Sequence, residues 1–254
     1  MGIKELINKL SNDLPANHEG IAFYDFIKGK LENYVSLLSA TDKKEFEGML
    51  NAADELYGEN TQKRFANLIK VINQKCLEIL QLAYKGDAYN ATSALLGLMT
   101  KCNTTKYYLY DRYLNYLKFT SDNGHLYYRC LKVSTNNMPK NCNHLPYNLR
   151  HFASPSRFNQ TGFPCLYIAS SLEIAEKESY CKDKDIVYVG EFKARKDLFY
   201  LNFCIPTKEE VEKMTEYDVF AFLVTYPLLL LCLVKTDDKD AKFHEEYLFP
   251  QLFF

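Results

Sequence analysis

Residues 144–178 read HLPYNLRHFASPSRFNQTGFPCLYIASSLEIAEKE. Arg150 and Arg157 stand among turn-forming residues, where side chains on a loop can converge on a ligand. Gly162 and Pro164 punctuate a turn that feeds the apolar run Pro164 to Ala169, which is expected to be a strand. Ser170 and Ser171 follow, and one of them should cap a helix over Ser171–Cys181 that carries Glu173, Glu176 and Glu178 in its first turns. A strand that passes into a helix through so short a turn leaves backbone N–H groups unpaired, a common anion site.

The pattern continues outward. Leu126–Val133, Ile186–Phe192 and Leu198–Phe203 have strand character, residues 134–148 form a polar Pro/Asn-rich loop, and the aromatic run Tyr247–Phe254 is strand-like. Thr207 and Glu210 bracket a capping box that starts another helix. Upstream the period changes. Ile3, Leu6, Ile7 and Leu10 recur at helical spacing, as do Phe65, Leu68, Ile69, Ile72, Cys76, Ile79 and Leu80. Tyr107–Leu117, with Tyr and Leu on more than one face, reads as a helix packed on two sides. Ser121, Asp122, Asn123 and Gly124 make a turn cluster between the two regimes. The expected class is α+β, with an all-helical domain at 1–121 and a small mixed α/β domain at 122–254.

Composition narrows the function. The 254 residues carry a net charge of −1, with no basic stripe to attract nucleic acid or anionic lipid. They include 20 Tyr and 17 Phe but no Trp, rings that suit half-buried strands and ligand pockets. Eight Cys form no C-x-x-C pair, and no signal peptide opens the chain, so a reducing cytoplasm is the expected compartment. Val219–Val234 is shorter than a membrane span of roughly 20 residues and is read as a buried core segment. Neither a phosphate-binding G-x-x-x-x-G-K-[ST] loop nor a G-x-G-x-x-G fingerprint occurs. Cys142, His144 and His151 lack the paired spacing of a zinc site, and Cys165 has no base near it in sequence. After Arg64 and Arg112 no His follows at the spacing of helical ribonucleases, so the front domain is read as non-nucleolytic.

The motif RFNQTGFPCLY, with Arg157, Asn159, Gly162, Pro164 and Tyr167, resembles the central motif of the RES family, named for its Arg, Glu and Ser residues. LYYRCLKV supplies an Arg on the preceding strand, Arg129, and the following helix supplies Glu178, eleven residues after Tyr167, with Glu176 as the near alternative. HLPYNLRH and FHEEYLFPQLFF are similar to flanking segments of one branch of that family. The resemblance covers about 125–254. It implies a fold similar to ADP-ribosyltransferases and a toxin or defence effector that consumes NAD as substrate, without a metal. It implies Glu178 and Arg129 as catalytic residues and Arg157, Tyr167, Arg150 and Ser170 as NAD-binding ones. The reaction would be hydrolysis, phosphorolysis or ADP-ribosyl transfer, and the expected partners are an antitoxin and a second copy of the chain.

Physical chemistry is consistent with this assignment. Arginine pairs bidentately with a pyrophosphate, and a carboxylate stabilises the oxocarbenium-like state through which a ribosyl bond breaks. Each residue also has a plainer reading: Arg129 as an edge residue, the glutamates as a solvated helix face, Tyr167 as packing. The family's third name residue, a Ser on a late strand, should follow the PQL segment, and no Ser follows Ser179, so either the chain is shortened or this member lost the residue. An inactive RES-like domain that senses a nucleotide or holds a partner is therefore the alternative, and the apolar C-terminal run favours it.

Overall fold

In the computed structural model, the structure describes residues 1–52, 61–99, 118–121, 124–133, 142–180, 182, 185–201, 203–236, 241 and 243–253. The fold is α+β. Helices α1 (Ile3–Asn12), α2 (Phe23–Ser39), α3 (Lys43–Ala52), α4 (Thr61–Tyr84) and α5 (Ala88–Met99) come first. They are followed by strands β1 (Lys118–Ser121) and β2 (Leu126–Val133), a 3₁₀ turn (Tyr147–Phe152) and helix α6 (Leu172–Glu178). Strands β3 (Ile186–Lys193) and β4 (Leu198–Leu201), helices α7 (Lys208–Lys213) and α8 (Glu216–Cys232), and 3₁₀ turns at Glu245–Tyr247 and Pro250–Phe253 complete the described order. The chain forms two compact units, 118–200 and the remainder, 1–117 with 201–254. The packing therefore does not follow the sequence division near residue 121, because residues after 200 join the N-terminal helices. The Tyr107–Leu117 helix lies outside the described residues.

The helical unit is built on the periodicities read from the sequence. Leu6, Ile7 and Leu10 of α1 are buried, as are Phe65, Leu68, Ile69, Ile72, Cys76, Ile79 and Leu80 of α4. Helix α8 has no polar face: every residue from Val219 to Cys232 is buried, and it contacts α1, α2, α3 and α4. An all-round apolar helix can only be a core helix or a membrane span. Among the described residues no helix is long and apolar enough to cross a membrane, and the Val219–Val234 segment is the core reading realised. Thr225, the polar residue within it, donates its hydroxyl to the Ala221 carbonyl at 2.8 Å. Both caps of this region are reciprocal. Thr207 and Glu210 exchange bonds at the start of α7, as the sequence indicates, and Thr215 and Asp218 do the same for α8. Hydrogen bonds from the Thr207 backbone and hydroxyl hold the Glu210 carboxyl below its usual range.

Two expected strands are not strands. The C-terminal run folds into 3₁₀ turns, and its buried positions, Glu246, Phe249, Pro250 and Leu252, do not alternate as a half-buried strand's would. His18 Nε2 meets the Glu246 carboxylate at 2.8 Å, the Tyr84 hydroxyl donates to Glu245, and the Lys235 N–H donates to the Ala16 carbonyl. These ties fix the C-terminal segment within the helical unit and remove the exposed apolar run that the binding-module reading invoked. Pro164–Ala169 is likewise extended without a ladder. Ala169 bonds to β2 through a two-way bridge with Tyr128 at 2.8 Å.

Candidate functional site

The sequence-derived site residues all lie in the 118–200 unit. Its centre is the β2–β3 ribbon, antiparallel in full register from Leu126 opposite Lys193 to Val133 opposite Ile186. Side chains alternate across such a ribbon, so Tyr128 and Cys130 share one face and Arg129 takes the other. The Cys130 face packs on α6. Cys130, Ala169 and Ala175 are buried together, with Tyr128 and Val187 against them. The Ser179 hydroxyl bridges the Cys130 and Ala175 carbonyls at 2.8 Å each.

On the other face, Gly190 stands opposite Arg129. Glycine inside a strand often marks a close approach of another chain segment, and here Cys142 is the neighbour. A Cβ at 190 would lie 2.3 Å from Cys142 Cβ and 2.8 Å from its Sγ. The Arg129 guanidinium reaches over this contact and donates to the Cys142 and Asn143 carbonyls at 3.1 and 3.0 Å. Burial lowers the pKa of Arg129 from its ordinary value and raises that of the Cys142 thiol, against the opposing pull of Arg129. The Cys142 side chain is buried and packs over Gly190.

The loop between β2 and α6 is organised by Asn159. It is 4% exposed. Its amide donates to the Ser154 and Gln160 carbonyls at 3.2 and 3.3 Å, and its Oδ1 accepts from the Tyr167 hydroxyl at 2.5 Å and from the Ser156 hydroxyl. Both donors and the acceptor of the side chain are thus used, as a buried amide requires. Gly162 adopts φ +81°, and its N–H donates to the Ala153 carbonyl at 3.1 Å, which returns the chain beside the 3₁₀ turn that carries Arg150.

The predicted residues fall as follows. Tyr167 anchors the loop through its hydroxyl, and the residue remains 43% exposed. Arg157 is half-buried in the Ser156–Asn159 turn, and Arg150 is exposed. Ser170 is exposed, and Ser171 is the cap: its side chain accepts from the Ile174 N–H at 3.3 Å. Glu178 is exposed as the last residue of α6. On α6, Ala175 and Ser179 turn toward β2, so helical geometry places Glu176 and Glu178 on opposite flanks of that contact line. The fold brings Ser156, Asn159 and Tyr167 together. It sets Arg129 and α6, with Glu178, on opposite faces of the ribbon. Asn159 was visible only as a motif letter, and Gly190 was the one sequence signal for the contact beneath Arg129.

Ser171→Ala should cost about 1 kcal/mol, the usual loss for an N-cap, whereas Ser170→Ala should be near neutral. Urea denaturation followed on the 118–200 unit's signal checks this. Equal effects of the two substitutions would contradict the cap assignment.

Among the described residues no three His, Cys, Asp or Glu side chains gather to hold a metal ion. The described cysteines carry thiols rather than disulfides. No family model matches the chain, and no solved structure does. A protein of Bacillus subtilis (strain 168) described as "Putative toxin YopC" is 29% identical over 119 residues, a match that covers 42% of this chain and 27% of that protein. The chain thus spans little more than a quarter of that relative's length, and over that part it is similar to a protein described as a toxin.

Proposed function

We propose that the chain is a toxin of the RES type whose 118–200 unit binds NAD and cleaves its nicotinamide–ribose bond, held in check by an antitoxin. The observation that carries this reading is the loop of residues 154–167. Asn159 and Tyr167 fold the motif residues into a fixed form with Arg157 and Arg150 alongside. Arginines on the same ordered loop as a partly exposed Tyr suit a ligand that carries both a pyrophosphate and an aromatic base. The likeness to a protein described as a toxin supports the cellular role.

In this reading the roles divide by position. Arg157 and Arg150 take the pyrophosphate, and the Tyr167 ring packs on nicotinamide. Ser170, at the turn into α6, offers a hydroxyl near the helix start, and Glu178 stabilises the ribosyl cation. Arg129 acts indirectly as a positioning residue, since its guanidinium holds the 142–143 backbone. The test is incubation of the full chain with NAD, with and without phosphate, followed by measurement of nicotinamide. Release without phosphate indicates hydrolysis, and release only with phosphate indicates phosphorolysis. Transfer would show as label retained on an added acceptor.

A second reading is favoured by one observation. Arg129 and Glu178 lie on opposite faces of the ribbon. An inactive module that binds a nucleotide needs neither residue. Calorimetry showing NAD binding by folded protein that releases no nicotinamide would select it.

A further inference from the structure

The net charge of −1 averages two unlike parts. Residues 118–200 carry 12 Lys and Arg against 8 Asp and Glu, a net of +4, whereas the rest of the chain carries 19 against 24, a net of −5. Within the smaller unit the separation is sharper. No Asp or Glu occurs from residue 123 to residue 172, where the whole-chain frequency of 32 in 254 would place about six. The same 50 residues hold Arg129, Lys132, Lys140, Arg150 and Arg157 and three of the five His. The whole-chain charge, which argues against nucleic acid as a partner, therefore says little about this stretch.

The fold shows what the acid-free stretch presents. Tyr147, Phe152 and Phe163 are 71%, 68% and 64% exposed, and Arg150 and His151 are exposed between the first two. The bond from the Gly162 N–H to the Ala153 carbonyl holds the Gly162–Phe163 turn beside the Arg150–Phe152 segment. Exposed rings and cations thus share one loop cluster, together with the exposed Leu149 and Leu166. Ring faces that stack on bases, alternating with cations that meet phosphates, are the chemistry by which single strands are held.

We propose that the loop cluster of residues 144–167 binds single-stranded nucleic acid, with Tyr147, Phe152 and Phe163 stacking on unpaired bases and Arg150 and Arg157 contacting phosphates. Duplex is disfavoured. The helix described in this unit, α6, has seven residues and exposes Glu173, Glu176 and Glu178, so it would repel a phosphate backbone rather than enter a groove. The proposal gives Arg150 and Arg157 a second phosphate ligand besides the pyrophosphate of NAD, and its test contains no NAD.

The experiment titrates the full chain into fluorescently labelled single strands of about 15 nucleotides, RNA and DNA, and into a duplex of the same length, following anisotropy. Single strands should bind at least about tenfold more tightly than duplex. Two or three phosphate contacts should weaken binding about tenfold between about 50 and 200 mM salt. Phe152→Ala and Phe163→Ala should each weaken it about fivefold or more, and Arg150→Gln should flatten the salt dependence, with circular dichroism unchanged in all three. Any of four outcomes overturns the proposal: no binding of either single strand at about 100 µM protein in low salt, wild-type affinity in both Phe variants, duplex bound as tightly as single strand, or sedimentation with phosphatidylserine vesicles by protein that ignores oligonucleotides.

Discussion

Glu178→Gln is expected to lower nicotinamide release from NAD by at least about a hundredfold, the scale of losing one electrostatic contact to a developing charge, without moving the thermal midpoint. The two halves of this expectation have separate physical grounds. The substitution keeps size and removes charge, and the departing nicotinamide leaves positive charge on the ribose that an amide cannot balance. Stability is spared because the side chain is exposed at the end of α6, so no buried partner is lost. Glu176→Gln is the matched control, since the two glutamates flank the Ala175–Ser179 contact line. Loss of activity in Glu176→Gln with retention in Glu178→Gln would move the carboxylate role to the other flank. Unchanged release in both would leave α6 without a part in the chemistry. Arg129→Lys separates position from contact: if Arg129 works through the 142–143 backbone, KM should rise more than kcat falls, because that loop loosens while the reacting groups remain.

Local pattern made much of the helical unit legible and little of how the segments join. The heptad-like spacing from Phe65 to Leu80 identifies one face of α4, and that face is the buried one. Likewise, the apolar Val219–Val234 run could be assigned to the core by length alone. The C-terminal run failed for a reason that lies in its period. FHEEYLFPQLFF is apolar enough for a strand, and only tertiary contacts reveal that burial falls on Glu246, Phe249, Pro250 and Leu252 rather than on alternate residues. The segment's attachment to the N-terminal helices rests on pairs such as His18 with Glu246, 228 positions apart, which no local window contains. The site divides the same way. The cap at Ser171, the loop glycine at 162 and the strand bearing Arg129 were readable from neighbours in sequence. The partners of Arg129 were not, because Cys142 and Asn143 sit in a polar loop whose return to β2 is set by the space above Gly190.

A buried pairing of the same long-range kind carries the largest expected effect on stability. Tyr34→Phe should destabilise the helical unit by about 1–3 kcal/mol, the range for stranding a buried carbonyl. The carbonyl is that of Leu223. In a regular helix it would accept from the N–H four residues on, but that residue is Pro227, which has none. The Tyr34 hydroxyl supplies the missing donor at 2.5 Å, across 189 positions of sequence. Its ring is 1% exposed and lies 4.7 Å from that of Tyr226. Burial, with Tyr226 adding to it, holds the Tyr34 hydroxyl well above its ordinary pKa, so it remains a donor throughout the working pH range. Phenylalanine preserves the ring contacts and removes only the bond. The decisive measurement is a double-mutant cycle by urea denaturation. Pro227→Ala returns a backbone N–H to the helix, so the Leu223 carbonyl no longer depends on Tyr34. In that background Tyr34→Phe should cost at least about 1 kcal/mol less than it does alone. An identical cost in both backgrounds would show that the hydroxyl stabilises the core by some route other than completing the helix that proline interrupts.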